Sequence, residues 1–585
     1  MKQFLKFTLA AAAGLMLGVF SIIIIFSIVA ASGDSKEVKL DEPHVLRLEL
    51  NGAIQDRVEK MPFDLSEITG QDVNILGLND ILANIKKAKT DENIKGIYIE
   101  MGMLSAGFAT REEIRNALLD FKESGKFITT YSEIYTQGSY YLASVADYIC
   151  MYPEGGMELK GLNSTIPFFT NALKKMGIEP QVIRHGKFKS AVEPFMLTEM
   201  SDENREQIET YMGSIWEHFL KNVASDRELT RDRLNEIADN LEIQTTEDAV
   251  RLGLVDSLFY RDQFQNHLAN LMEQENYDDV NFISLKKYNK VKNENARDKF
   301  KKEKVAVIYA QGEIQSGEGS ETVIGSERIS KAIRKARKDE KVKAIVLRVN
   351  SPGGSALASD VIWREMKLAN EEKPVVVSMG DVAASGGYYI ACASDKIYAS
   401  PNTITGSIGV FGLLMSFEEL YTDKIGLTFD QVKTNKFADL GSVNRPLTQE
   451  EYDIIQKGVV DIYNTFTSKV AEGRDMSQEN VDDIGQGRVW SGSNAMDINL
   501  IDEYGGLEAA VAGAAELAEL EDYRIYELPE QKDPFQELLE QLEEDMQTSW
   551  MKHQLGDQYK YYKTIQDIKH LKGVQARMPY QFVID

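Results

Sequence analysis

An internal repeat constrains this chain more than any other feature. NDILANIKKAKTDENIKGIYIE (Asn79–Glu100) matches SERISKAIRKARKDEKVKAIVLR (Ser326–Arg348), and GSYYLASVADYI (Gly138–Ile149) matches GGYYIACASDKI (Gly386–Ile397). Asp91 and Asp339, Ile97 and Ile345, and Tyr140 and Tyr388 are each 248 residues apart. A constant offset across several elements marks a duplicated domain. The echo extends outwards, from VLRLELNGAI (Val45–Ile54) against VAVIYAQGEI (Val305–Ile314) to LGLVDSL (Leu252–Leu258) against INLIDEYGG (Ile498–Gly506). Each copy alternates amphipathic helices with apolar strands, which predicts two α/β domains, each on a largely parallel sheet. A chain of 585 residues also exceeds what one core accommodates.

The expected order is an anchor at 1–32, a first repeat at 43–290, a charged linker at 291–303, a second repeat at 304–530 and an extension at 531–585. The linker is read from VKNENARDKFKKEK (Val291–Lys304). The extension turns acidic, then Lys- and Tyr-rich, and is expected as a helical or partly ordered arm. At the other end, Lys2 and Lys6 precede an uncharged apolar run from Phe7 to about Ala31. That run as a helix spans roughly 37 Å, enough for a bilayer core of about 30 Å. It is expected to be a single membrane anchor, although VAASG at Val29–Gly33 leaves cleavage open. Lysines on its N-terminal side place that end in the cytoplasm and the body outside it.

Lys and Arg number 66 against 92 Asp and Glu, a net charge of −26, which disfavours nucleic acid as a partner. Cys150 and Cys392 sit in apolar segments and read as buried small hydrophobes. No cluster with metal-ligand spacing occurs, and no cofactor is expected.

Chemistry is concentrated in VVSMGDVAASGGYYIACASDKI (Val376–Ile397). An apolar strand runs into Ala384-Ser385-Gly386-Gly387 and then a helix, which puts a serine on a tight turn beside helix N-terminal amides. Alone, the motif also reads as a glycine-rich turn packed on a sheet. The repeat decides between the readings by internal comparison. The second copy has Asn350-Ser351-Pro352-Gly353-Gly354-Ser355 after a strand, a turn able to aim backbone N–H groups outwards as an oxyanion hole needs. The first copy has Met101-Gly102-Met103-Leu104-Ser105 there, and Gln137 where the second has Ser385.

A serine needs a base. None of the six histidines lies in the core of the second copy, so a triad within one domain is excluded, though His185 of the first copy stays open. Lysine fits better. Aligning QVIRHGKFKSAVEPF (Gln181–Phe195) with QVKTNKFADLGSVNRP (Gln431–Pro446) sets Lys189 opposite Ala438. One copy keeps the serine and the other the lysine, the pattern a composite site leaves behind. Lys189 would have to be buried to be neutral, and Ser407 in GSIGV is the candidate to orient it.

VLRVNSPGGS, MGDVAASGGYYIACASDKI, TGSIGVFG and GKFKSAVEPF together resemble the long, two-repeat form of the signal peptide peptidase A family, membrane-anchored bacterial serine proteases. The resemblance runs from the anchor to about residue 515. It implies tandem Clp protease/crotonase-like repeats, each a spiral of βαβ units, and a Ser–Lys dyad on Ser385 (nucleophile) and Lys189 (general base). It further implies an oxyanion hole of Gly353 or Gly354 with the Gly386 amide, Ser407 positioning the lysine, and ring-shaped homo-oligomers, here a tetramer. The implied substrates are signal peptides left in the membrane, and the implied location is the bacterial inner membrane with the body on the periplasmic side. His185-Gly186-Lys187-Phe188 departs from the family pattern before the lysine and keeps Lys187 as an alternative base. Two rivals remain at this stage: a crotonase-like acyl-CoA enzyme and a non-catalytic membrane scaffold.

Overall fold

A computed structural model describes residues 6, 14, 38–58, 75–292, 301–531 and 574–578. Among these no helix is long and apolar enough to cross a membrane. The expected anchor, Phe7 to Ala31, lies outside the described residues apart from Gly14.

The first repeat holds strands β1 (His44–Gln55), β2 (Ile75–Gly77), β3 (Ile94–Ser105), β4 (Phe127–Tyr135), β5 (Tyr148–Met157), β6 (Glu179–Arg184), β7 (Ser257–Leu258) and β8 (Phe282–Ser284). Helices α1 (Leu78–Thr90), α2 (Phe108–Lys122), α3 (Gln137–Ala143) and α4 (Asp202–Asp226) are its main crossovers. Its sheet has the order β2-β1-β3-β4-β5-β7, with β8 also on β1, and every pairing is parallel. Residues such as Ile97 and Ile99 are wholly buried, as the central strand of a sheet covered on both faces requires.

The second repeat repeats the scheme. Its strands begin with β9 (Lys304–Gln311), β10 (Glu313–Gln315), β11 (Gly319–Ser320), β12 (Val323–Gly325), β13 (Val342–Ser351), β14 (Gly353–Ser355) and β15 (Val375–Ala384). They continue with β16 (Lys396–Ala399), β17 (Ile404–Gly406), β18 (Phe411–Ser416), β19 (Val489–Ser491), β20 (Glu503–Tyr504) and β21 (Arg524–Leu528). Helices α5 (Ser326–Lys338), α6 (Ala356–Asn370), α7 (Gly386–Ala391) and α8 (Gln449–Gly473) correspond to α1–α4. The sheet runs β19-β17-β15-β13-β9-β21 and is parallel except where β19 meets β17. The registers also correspond: Leu46 faces Ile97 in the first repeat, and Ala306 faces Ile345 in the second.

A third sheet joins the repeats, because β6 of the first pairs antiparallel with β18 of the second, from Arg184 opposite Phe411 to Glu179 opposite Ser416. The same sheet contains β22 (Val574–Arg577), from the extension, lying between β14 and β18. The extension was expected as a helical or loosely ordered arm. Its described part is a strand, because two exposed edges one strand apart supply it with backbone partners on both sides.

Charged groups close the interface between repeats. Arg348 on β13 is wholly buried and donates to Asp56 Oδ1 at 2.8 and 3.0 Å, to Glu113 Oε1 at 2.6 Å and to Ser378 Oγ at 2.9 Å. Glu113 also accepts from the Leu507 amide at 3.0 Å. Asp381 caps the start of α2 across the interface, accepting from the Thr110 amide at 2.8 Å and its hydroxyl at 2.6 Å. A carboxylate at a helix N-terminus satisfies otherwise unpaired N–H groups.

Candidate active site

Ser385 stands between β15 and α7 with φ +56°, a left-handed conformation that costs a residue with a side chain of order 1–3 kcal/mol. The register holds it there: Ala384 pairs with Gly406, and the Ser385 amide donates to the Gly406 carbonyl at 2.8 Å. Its side chain is thereby turned towards the first repeat, where Lys189 Nζ lies 2.8 Å from Ser385 Oγ. The same ammonium or amine contacts Ser407 Oγ at 3.0 Å and the Ser407 carbonyl at 3.2 Å. Ser385, Lys189 and Ser407 are all wholly buried. Burial alone holds the Lys189 pKa well below the ordinary lysine value, since no carboxylate offsets the loss of solvation.

The lysine is carried on the segment after β6 and gripped by the second repeat. The Phe188 amide donates to the Gln486 carbonyl at 3.1 Å. Gly487, at φ +85°, packs so closely that a methyl group there would stand 2.6 Å from Lys189 Cα. Beneath, Gln207 on α4 donates to Ser190 Oγ at 2.8 Å and accepts from the Val489 amide at 3.1 Å, tying both repeats to the lysine segment. Buried Glu193 accepts from Ser201 Oγ at 2.6 Å and Asn204 Nδ2 at 2.9 Å, which fastens the rest of SAVEP to the start of α4. We expect Gly487→Ala to lower kcat about 10- to 100-fold with a smaller change in KM, because displacing a catalytic group by about 1 Å has that scale of effect; steady-state kinetics on a peptide substrate checks it.

The alternative bases lie elsewhere. Lys187 is exposed, its Nζ 5.1 Å from the Phe188 ring centre, and His185 packs on Tyr463 with ring centres 4.2 Å apart. Pro352 ends β13, and Gly353 (φ +99°) and Gly354 (φ +155°) turn the chain away to pair with β10, beside the Gly386 amide. The Gly353 N–H donates to Ser351 Oγ at 3.1 Å. In the first repeat β3 instead stays paired with β1, through a bulge at Gly102–Met103, as far as Ser105 opposite Ala53, so no such turn forms. There Gln137 Oε1 accepts from the Lys160 and Gly161 amides at 3.1 and 3.0 Å. Those residues are the counterparts of Ile408 and Gly409, and Leu159 replaces Ser407. A neutral amide has thus closed the site of the first copy.

Among the described residues no cluster of acidic, histidine or cysteine side chains could hold a metal ion. Sequence reasoning missed the gripping residues Gln207, Gly487 and Gln486, whose roles depend on contacts across the interface. It also missed β22, whose four residues are too few to show a period.

Known proteins and protein families match most of the chain. The model of peptidase family S49 matches residues 120–275 and 367–521, one stretch in each repeat, and that of Clp protease matches residues 294–405. Protease 4 of Haemophilus influenzae is 35% identical over 511 residues, covering 85% of this chain and 83% of that protein. The chloroplastic serine protease SPPA of Arabidopsis thaliana is 35% identical over 481 residues, 81% of this chain and 69% of that protein. Protease 4 of Salmonella typhi is 36% identical over 461 residues, 77% of this chain and 73% of that protein. A duplicated α/β body of the Clp protease type with a serine on a strained strand–helix turn defines a serine protease. The chain belongs to peptidase family S49. The resemblance read from the motifs therefore holds at the level of the family, and it displaces the acyl-CoA and scaffold readings.

Proposed function

We propose that the chain is a membrane-anchored endopeptidase that hydrolyses cleaved signal peptides and similar extended apolar peptides through a Ser385–Lys189 dyad. The observation that carries this reading is the 2.8 Å contact between a wholly buried Lys189 Nζ and Ser385 Oγ. Desolvation favours the neutral amine, which takes the hydroxyl proton as Ser385 Oγ attacks the substrate carbonyl. Ser407 aims the amine through its hydroxyl and carbonyl. The oxyanion develops beside Gly353, Gly354 and the Gly386 amide at the start of α7. Lysine returns the proton to the leaving amine and then activates water against the acyl-enzyme.

The substrate side of this reading rests on β14 and β18, which hold an extended strand, β22, between them in the way an added peptide strand would be held. The apolar run at Phe7–Ala31 supports the anchor, with the body on the extracytoplasmic side of the inner membrane. The ring-shaped homotetramer is carried over from the family. The test is hydrolysis of an apolar, signal-peptide-like fluorogenic peptide by the full chain in detergent, with a folded protein of matched sequence content as control. Turnover of the peptide alone, with Ser385 labelled by a serine-reactive probe, is the expected result. Probe labelling without peptide turnover would sink the substrate assignment, and the absence of both labelling and turnover would overturn the dyad.

A further inference from the structure

The strand held beside Ser385 fixes a register for a bound peptide. Strand β22 runs antiparallel to β14, with Gly354 opposite Ala576 and Gly353 opposite Arg577. The carbonyl oxygen of Ala576 lies between Gly353 and Gly386: a methyl group on the first would stand 2.1 Å from it, and one on the second 3.0 Å. That is the position an oxyanion hole is built around. A peptide in this register places its scissile carbonyl there, and the next residue, the one that departs with the amine, falls where Arg577 lies. Past it, the Met578 amide donates to the Pro352 carbonyl at 2.7 Å, so the backbone on the leaving side is held as well.

A carboxylate waits at that leaving-side position. β10 runs parallel to β14 with Ile314 opposite Gly354, which sets Glu313 beside Gly353. β10 and β22 stand two strand spacings apart, roughly 10 Å, a span that a glutamate and an arginine side chain close between them. Gly353 brings no side chain to that rung, and Glu313 Oε1 reaches across it to lie 3.4 Å from Arg577 Nη1. The two side chains are 23% and 27% exposed, shielded enough that their attraction exceeds that of a pair in open water. Backbone pairing with Val323 of β12 holds Glu313 from its other side. The repeat supplies an independent argument. Glu313 aligns with Ala53 of VLRLELNGAI, and Gly353 lies 248 residues after Ser105. In the first copy Ala53 faces Ser105 directly. The acid and the open rung thus occur only in the copy that carries Ser385.

We infer that Glu313 is a specificity-determining residue, favouring arginine or lysine immediately after the cleaved bond of a peptide substrate. This rests on the dyad reading above and adds what the leaving side selects. A basic residue there brings its cation to the Glu313 carboxylate. A neutral one leaves that carboxylate to water, and an acidic one sets two like charges together, which is costly at a shielded site. Glu313 touches neither reacting atom, so the ion pair forms as the peptide binds and persists through the reaction. Its effect belongs in KM more than in kcat.

The experiment uses three fluorogenic peptides that carry Arg, Gln or Glu after the cleaved bond and are otherwise identical. The full chain hydrolyses them in detergent, and mass spectrometry of the products locates the cut. Wild type is expected to favour the Arg peptide over the Glu peptide by roughly 10-fold in kcat/KM, mostly through KM. Glu313→Gln should bring that ratio close to one, Glu313→Lys should invert it, and added salt should shrink the wild-type ratio. Each ratio compares peptides on one enzyme sample, so a loss of folded protein in a variant cancels. A wild-type ratio near one, or a preference for Arg that persists in Glu313→Lys, overturns the role of Glu313 and leaves the dyad reading intact. Cleavage of all three peptides at some other bond overturns it too. Wild type that cuts none of them, or Ser385→Ala that cuts them as fast, overturns both.

Discussion

Lys189→Ala is expected to lower kcat/KM on a peptide substrate by roughly 10⁴-fold or more, the scale seen when one member of a nucleophile–base unit is removed. Ser385→Ala should match it, and the double variant should be no worse than either, because in the proposed dyad the two side chains act as a unit. Lys187→Ala should retain turnover, since that side chain is exposed and directed at Phe188. The pH profile supplies the sign. In the proposed mechanism Lys189 works as the neutral amine, and burial moves its pKa well below 10.5. The rate should therefore fall as pH drops through that lowered value and level off above it. Stability follows the same group. Between the lowered pKa and 10.5 the unfolded chain binds a proton at Lys189 that the folded chain does not, so the contribution of this residue to stability rises with pH across that window. Lys189→Met should be inactive, more stable than wild type at neutral pH, and free of that slope. A variant with normal turnover and an unchanged pH profile would remove lysine from the mechanism.

Arg348→Ala is expected to destabilise the body by about 3–5 kcal/mol, because it leaves Asp56 and Glu113 buried without their cation. The urea midpoint should drop accordingly. Replacing all three together (Arg348→Met, Asp56→Leu, Glu113→Leu) should recover most of the loss, since well-packed apolar residues often match a buried ion cluster. Should Arg348→Ala unfold at the wild-type midpoint, the cluster is not what holds the repeats in register.

The parts of this molecule that could be read from sequence are those in which the duplication leaves two versions to compare. The offset of 248 residues placed α1 against α5 and α3 against α7, and their strands pair in corresponding registers. Comparing the copies also singled out Ser385 against Gln137 and Lys189 against Ala438, and the structure brings Ser385, Lys189 and Ser407 together. What could not be read depends on contacts without a local pattern. KFK looks like a solvated segment, and Lys189 is buried only because Gly487 and Gly409 of the other repeat leave it room. Arg348 and Asp56 are 292 residues apart, and nothing in either neighbourhood names the other. Strand β22 is four residues of the C-terminal extension, ordered by the edges that receive it and not by its own periodicity.

Dividing the proposed dyad between repeats has a consequence for synthesis. A ribosome delivers Lys189 long before Ser385, and the Gly487 backbone that grips the lysine emerges later still. On the proposed mechanism a half-made chain would carry the base without its nucleophile and could not turn on its surroundings. With such a dyad, activity would arise only when two separately emerging bodies have docked, making proteolysis conditional on completed folding.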